Sequence, residues 1–138
     1  MSPVIDRLTE LRQNLDHLYE LRPRVTGPEV LRDNRSLRND VLHSLQIICQ
    51  IVIDIASDLS ARHRLPFQDY TDAVHNLAAI PSFPATLTKD LEKLPGFRNV
   101  VIHQYVTLDY SQVLETMYRL GAVEEFFETI RRIEIAEA

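Results

Sequence analysis

The sequence predicts an all-α protein, an up-and-down bundle of four to five helices. Two observations carry this. Apolar residues recur every three or four positions through most of the chain, the period of a helix with one buried face. Only three glycines are present, and the prolines and turn residues gather at a few places, Thr26-Gly27-Pro28, Pro66 and Ile80-Pro81-Ser82-Phe83-Pro84, which read as connections.

The first helix is expected over residues 4–21, where Ile5, Leu8, Leu11, Leu15, Leu18 and Leu21 form one stripe and Ser2-Pro3 makes a suitable start. The Thr26-Gly27-Pro28 turn is short, so the next helix packs beside the first. That second helix runs from Asn34, a candidate N-cap, to the neighbourhood of Arg64, and Pro66 prevents its continuation. Val41, Leu42, Leu45, Ile48, Cys49, Ile51, Val52, Ile53, Ile55, Ala56 and Leu59 are too much apolar surface for a helix covered on one side, so it is the central helix or part of a dimer interface. A third helix covers residues 69–79. A fourth extends from Thr86 to His103 or Tyr105, bent or interrupted at Pro95-Gly96. A fifth is capped by Asp109 and buries Val113, Met117, Leu120, Val123, Phe126, Phe127, Ile130 and Ile133.

At 138 residues the chain has the length of one domain with a self-sufficient core, here residues 1–138. The formal charge of −5 excludes the overall basic field of a nonspecific nucleic-acid binder and leaves room only for a local phosphate site. All basic residues but Lys89 and Lys93 are arginines, the side chain that forks onto phosphate oxygens. A lone cysteine, Cys49, forms no internal disulfide and reads as a packed apolar thiol. The N-terminus has no basic region followed by an apolar run. The most apolar stretch, residues 45–56, is broken by Gln46, Gln50 and Asp54 and reads as too short to span a bilayer. A soluble cytoplasmic protein is expected.

The sequence has no phosphate loop, no paired cysteines, no His-Glu-x-x-His run and no nucleophile elbow. His17, His43, His63, His75 and His103 are too far apart for metal-ligand spacing, and neither metal nor cofactor is implied. What remains is Arg98-x4-His103-x-Tyr105, preceded by Gly96-Phe97 and including Asn99. With Leu94-Pro95 before it and Leu108-Asp109-Tyr110 after it, this stretch resembles the signature of the HepT-like branch of the HEPN superfamily. A second block, Leu37-Arg38, Leu42 to Gln46, Ile53 to Ala56, Leu65-Pro66 and Tyr70, resembles it in order and spacing.

The resemblance implies a ribonuclease whose site is this motif and whose chemistry needs no metal. His103 would serve as general base or acid in attack of the ribose 2′-hydroxyl on the adjacent phosphate, and Arg98 would steady the charge on the phosphoryl oxygens. Five residues along a helix rotate by about 140°, so Arg98 and His103 point to different sides, whereas Asn99 and His103 share a face. The family's answer is a homodimer with two facing motifs. On the central helix His43, Gln46, Gln50, Asp54 and Ser57 form a polar line at spacings of three and four, a solvent stripe or part of the site. Asp54 matches the family's acidic position and would orient His103 or Arg98. Tyr105 matches the tyrosine to which a cognate MntA-type nucleotidyltransferase antitoxin adds AMP. Arg35, Arg38, Arg62 and Arg64 at the ends of the central helix are read as solvated.

A non-enzymatic alternative is a helical adaptor, the substrate-binding subunit of a nucleotidyltransferase. A third reading is a structural homodimer in which Arg98 and His103 only make interface hydrogen bonds. Changing His103 separates the three.

Overall fold

The computed structural model describes residues 3–103 and 107–137, and among them it is a bundle of eight α-helices without strands. They are α1 (Pro3–Leu21), α2 (Pro28–Asp33), α3 (Arg35–Arg62), α4 (Tyr70–His75), α5 (Ala85–Leu91), α6 (Leu94–His103), α7 (Tyr110–Tyr118) and α8 (Gly121–Glu137). The all-α bundle agrees with the expectation. The number of helices is larger because three expected elements are subdivided or preceded by short turns.

The face of α1 is set by Val4, Leu8, Leu11, Leu15, Leu18 and Leu21, all buried, so the stripe begins at Val4 and leaves Ile5 half-exposed. It packs along α3. Between them Pro28 opens the short helix α2, unannounced by periodicity because six residues hold one buried position, Leu31. Asn34 then caps α3, its side chain accepting from the Leu37 amide at 3.0 Å.

Helix α3 is the axis of the molecule, touching α1, α2, α4, α6 and α7. It is 28 residues long, enough by length and composition to cross a membrane, which corrects the expectation of a segment too short to do so. Over half of its most apolar stretch is buried against the other helices, the position of a core helix. Its end lies ahead of Pro66. His63 is the cap, Arg64 takes a left-handed φ of 56°, and the amides of Arg64 and Leu65 return to the carbonyls of Ala61 (3.2 Å) and Ser60 (2.8 Å). This is a Schellman ending, with arginine where glycine is usual.

The third expected helix is α4 followed by a 3₁₀ turn over Asn76–Ala79. Asp69 caps α4 by accepting from the Asp72 amide at 2.8 Å. The following loop is anchored by buried Ile80 and Phe83, the latter 6.1 Å from the Phe126 ring. The fourth expected helix is divided at Glu92 and Lys93, before Pro95-Gly96 and not at them. A proline lacks an N–H that the first turn of a helix does not use, so α6 restarts in time to place Pro95 there. The last expected helix is divided at Arg119 and Leu120, yet its buried residues are those of the stripe, with Phe127 half-buried. Asp109 caps α7 through the Ser111 and Gln112 amides at 2.9 and 3.4 Å.

The arginines at the ends of α3 are not all solvated. Arg38 donates to the Leu31 and Arg32 carbonyls (3.4 and 2.9 Å) and lies 5.9 Å from the Tyr110 ring. Arg62 pairs with Asp58, Glu134 and Glu137 at 3.0, 2.7 and 3.1 Å. Both serve to close helix ends, where open carbonyls and carboxylates attract a cation.

Candidate functional site

Helix α6 carries the motif and packs along α3. Its buried residues Pro95, Phe97 and Val101 hold it to the bundle, and these fix which way the remaining side chains turn. Arg98, half-buried, faces α3. Asn99 and His103, four residues apart, are exposed together, as their spacing requires. His103 is the final residue of α6.

Two half-buried polar residues of α3, Gln50 and Asp54, lead to Arg98. Gln50 Oε1 accepts from Arg98 Nε at 3.1 Å, and Gln50 Nε2 donates to Asp54 Oδ1 at 2.8 Å. Arg98 Nη1 donates to Asn99 Oδ1 at 3.2 Å. The result is a row, Asp54, Gln50, Arg98, Asn99, that runs from the central helix to the exposed face of α6. The row continues on neither side of Gln50 into the rest of the predicted polar line: His43 is exposed, Gln46 is half-buried, and Ser57 donates to the Ile53 carbonyl of its own helix at 2.8 Å.

Cys49, beside Gln50, is fully enclosed. Burial pushes its thiol up to about 12, and the nearby Arg98 charge offsets only part of that. The guanidinium therefore sits at the rim of the core, with apolar surface behind it and solvent before it. In such a position a cation is less screened than at the open surface.

Of the sequence-predicted residues, Asp54, Arg98 and Asn99 are brought together. Asp54 is linked to Arg98 through Gln50, an intermediary that the sequence left open as a solvent-stripe residue. Its signal was the four-residue spacing to Asp54, which places the two side chains over one another. Among the described residues no hydrogen bond joins His103 to Arg98, Asn99 or Asp54. Tyr105 lies outside the described residues. No group of three His, Cys, Asp or Glu side chains with metal-holding geometry occurs among the described residues.

A groove of about 540 Å³ lies elsewhere among the described residues, lined by Lys93, Leu94, Phe97, Glu115, Arg119 and neighbours between α5–α6 and α7–α8. Leu94 and Phe97 of the motif stretch reach it. Among the described residues Arg98 is half-buried and His103 exposed, both outside that groove.

A helical bundle that presents an Arg-x4-His pair on one helix, braced by an acidic residue of the central helix, defines a protein of the HEPN class. The chain belongs to the HepT-like ribonuclease family, whose model, "Ribonuclease HepT-like", matches residues 11–133. It is similar to the mRNA nuclease HepT of Shewanella oneidensis, 29% identical over 98 residues that span 70% of this chain and 74% of that protein. Among solved structures it resembles the tri-AMPylated Shewanella oneidensis HEPN toxin in complex with MNT antitoxin. That match has a TM-score of 0.82 at 22% identity and covers 96% of this chain and 99% of the other. A tyrosine-to-alanine mutant of the toxin–antitoxin MntA-HpeT superimposes with a TM-score of 0.81 at 22% identity, covering 95% and 99%.

Proposed function

We propose that this ribonuclease is an RNA endonuclease working as a homodimer, the toxin of a toxin–antitoxin pair, and that a nucleotidyltransferase antitoxin of the MntA kind silences it by adding AMP to Tyr105. The carrying observation is that Arg98 is held from α3 at the rim of the core while His103 is presented, free of these contacts, at the end of the same helix. This division supports a reading in which Arg98 binds charge and His103 exchanges a proton with the substrate.

In the proposed reaction His103 takes the proton of a ribose 2′-hydroxyl as its oxygen attacks the adjacent phosphorus. The bond to the 5′-oxygen breaks, that oxygen takes a proton from solvent water as it leaves, and a 2′,3′-cyclic phosphate remains. Arg98 and Asn99 bind the phosphoryl oxygens, on which negative charge grows. Because the nucleophile belongs to the RNA, DNA is not cut, and no metal or cofactor takes part in the scheme. The exposure of Asn99 and His103 supports the dimer: a second copy of the motif would supply a facing wall for the site. The relative named an mRNA nuclease and the similarity to an AMPylated toxin bound to its antitoxin support this reading. It treats residues 1–138 as one HEPN domain acting in the cytoplasm.

Expression of the chain from a tightly repressed promoter, beside His103→Ala, tests the proposal. Growth arrest with cut RNA is expected for the parent, with cleavage reduced at least about a hundredfold in the variant. Equal RNA profiles from two folded proteins would favour the adaptor. Tyr105→Phe is expected to cleave RNA and to accept no AMP when incubated with the antitoxin and ATP; AMP found on another tyrosine of that variant would overturn the assignment.

A further inference from the structure

The residue between Asp54 and Arg98 is an amide, and the chemistry of its two neighbours decides how it is used. We infer that Gln50 is a positioning residue for RNA cleavage: it holds Arg98 by Nε, oriented by Asp54, and leaves the outer edge of the guanidinium to a phosphate. This rests on the ribonuclease reading and adds to it a residue that touches neither RNA nor the reacting atoms.

A guanidinium only donates hydrogen bonds, and an ionised carboxylate only accepts them. Of the uncharged side chains, an amide can face both at once, and in one orientation only, oxygen toward Arg98 and nitrogen toward Asp54. The observed bonds have that sense, 3.1 Å and 2.8 Å. Asp54 thus controls Arg98 through the direction of the Gln50 amide, without pairing with the guanidinium itself.

The consequence is electrostatic as well as geometric. A carboxylate at position 50 would pair with the guanidinium and bring a negative charge to the place where a phosphate must approach. The amide engages Nε alone. Nη1 goes to exposed Asn99, and Nη2 has no hydrogen-bond partner among the described residues. A phosphate is best taken by two N–H groups of one guanidinium edge, and with Nε held by Gln50 and Nη1 by the exposed Asn99, the N–H groups left for it are those of Nη2 and the second of Nη1. The charge of Asp54 stays one side chain further back, where its repulsion of RNA is weaker.

The test uses the full chain carrying Gln50→Met, which keeps length and loses both hydrogen bonds, together with Asp54→Asn and the double variant. Cleavage of a short single-stranded RNA, thermal unfolding and the arginine Nε–H signals in ¹⁵N spectra are measured on each. Gln50→Met is expected to melt within a few degrees of the parent and to lose the slowly exchanging Arg98 Nε–H signal. Its kcat should fall about tenfold to a hundredfold with KM changed far less, as for a misplaced transition-state group. Asp54→Asn should lower kcat in the parent and nothing further in Gln50→Met, since its effect passes through the amide. Parental kcat in Gln50→Met, or an undiminished Asp54→Asn effect in that background, overturns the inference. A parent that leaves RNA uncut overturns the ribonuclease reading and this role together, while its Nε–H signal reports separately whether Gln50 holds Arg98. Should Gln50→Met fail to fold, Gln50→Glu decides: it is expected to keep the Arg98 signal and raise KM severalfold by repelling phosphate, and an unchanged KM counts against the inference.

Discussion

Arg98 on α6 and Asp54 on α3 are joined through a single side chain, Gln50, whose two ends lie 3.1 Å from the guanidinium and 2.8 Å from the carboxylate. The bond to Nε depends on the branched, planar shape of arginine, since a lysine ammonium at the tip of its chain has no N–H at that point. Arg98→Lys keeps the charge and loses the shape. RNA cleavage is therefore expected to fall about a hundredfold or more, with the melting temperature little changed because the group is only half-buried. Cleavage rates and thermal unfolding of parent and variant check this, and a lysine variant of near-parental activity would show that charge alone suffices.

The left-handed Arg64 at the end of α3 leads to an expectation of opposite sign. A non-glycine residue at φ 56° costs about 1 kcal/mol or more, while glycine there costs less in the native chain and somewhat more in unfolded-state entropy. The first effect exceeds the second. Arg64→Gly is expected to stabilise the protein by roughly 0.5 kcal/mol in urea unfolding, and a loss of stability would show that the arginine side chain has a compensating contact.

Helices α1 and α8 are pinned by Arg12, whose Nη1 and Nη2 donate to the two carboxylate oxygens of Glu124 at 2.6 and 3.3 Å and whose guanidinium lies 5.3 Å from the Phe127 ring. The hydrogen bond to Glu124 also raises the Arg12 pKa above the ordinary guanidinium value. With about a third of each side chain exposed, solvent screens the pair. A double-mutant cycle of Arg12→Met and Glu124→Gln should give a coupling of about 1 kcal/mol that shrinks in high salt, and a coupling of zero would remove the pin from the account.

Cys49 offers a chemical probe of the same core. Its thiol, pushed up to about 12 by burial, holds its proton in the native state at pH values where an unfolded thiol of ordinary pKa, about 8.5, has ionised. The raised native value means that this contribution to stability is complete below about pH 8.5 and is lost as the pH climbs toward 12. A disulfide reagent at pH 8 should therefore label Cys49 only after urea unfolds the chain, and native stability should decline with alkaline pH more in the parent than in Cys49→Ala. Rapid labelling of the native protein would contradict the burial.

The helical class, the buried stripes of α1 and α8 and the N-caps Asn34 and Asp109 were legible in the sequence because each depends on residues within a few positions of one another. Apolar spacing is a local property, and a cap bonds an amide two or three residues away. Arg98 and His103 were legible through the resemblance of the local run around them to a family signature, itself a stretch of neighbouring residues. The divisions at Glu92–Lys93 and Arg119–Leu120 were hidden because the apolar period continues across them while the backbone turns. The membrane reading of α3 likewise depended on what covers it, and only the packing of α1, α4 and α6 shows a core helix. Above all, Gln50 stood in the sequence as one polar residue of a stripe, 48 positions from Arg98. Which face of α3 meets α6 is decided by how buried side chains of both helices fill shared space, and that long-range packing, not any local preference, puts an amide between the carboxylate and the guanidinium.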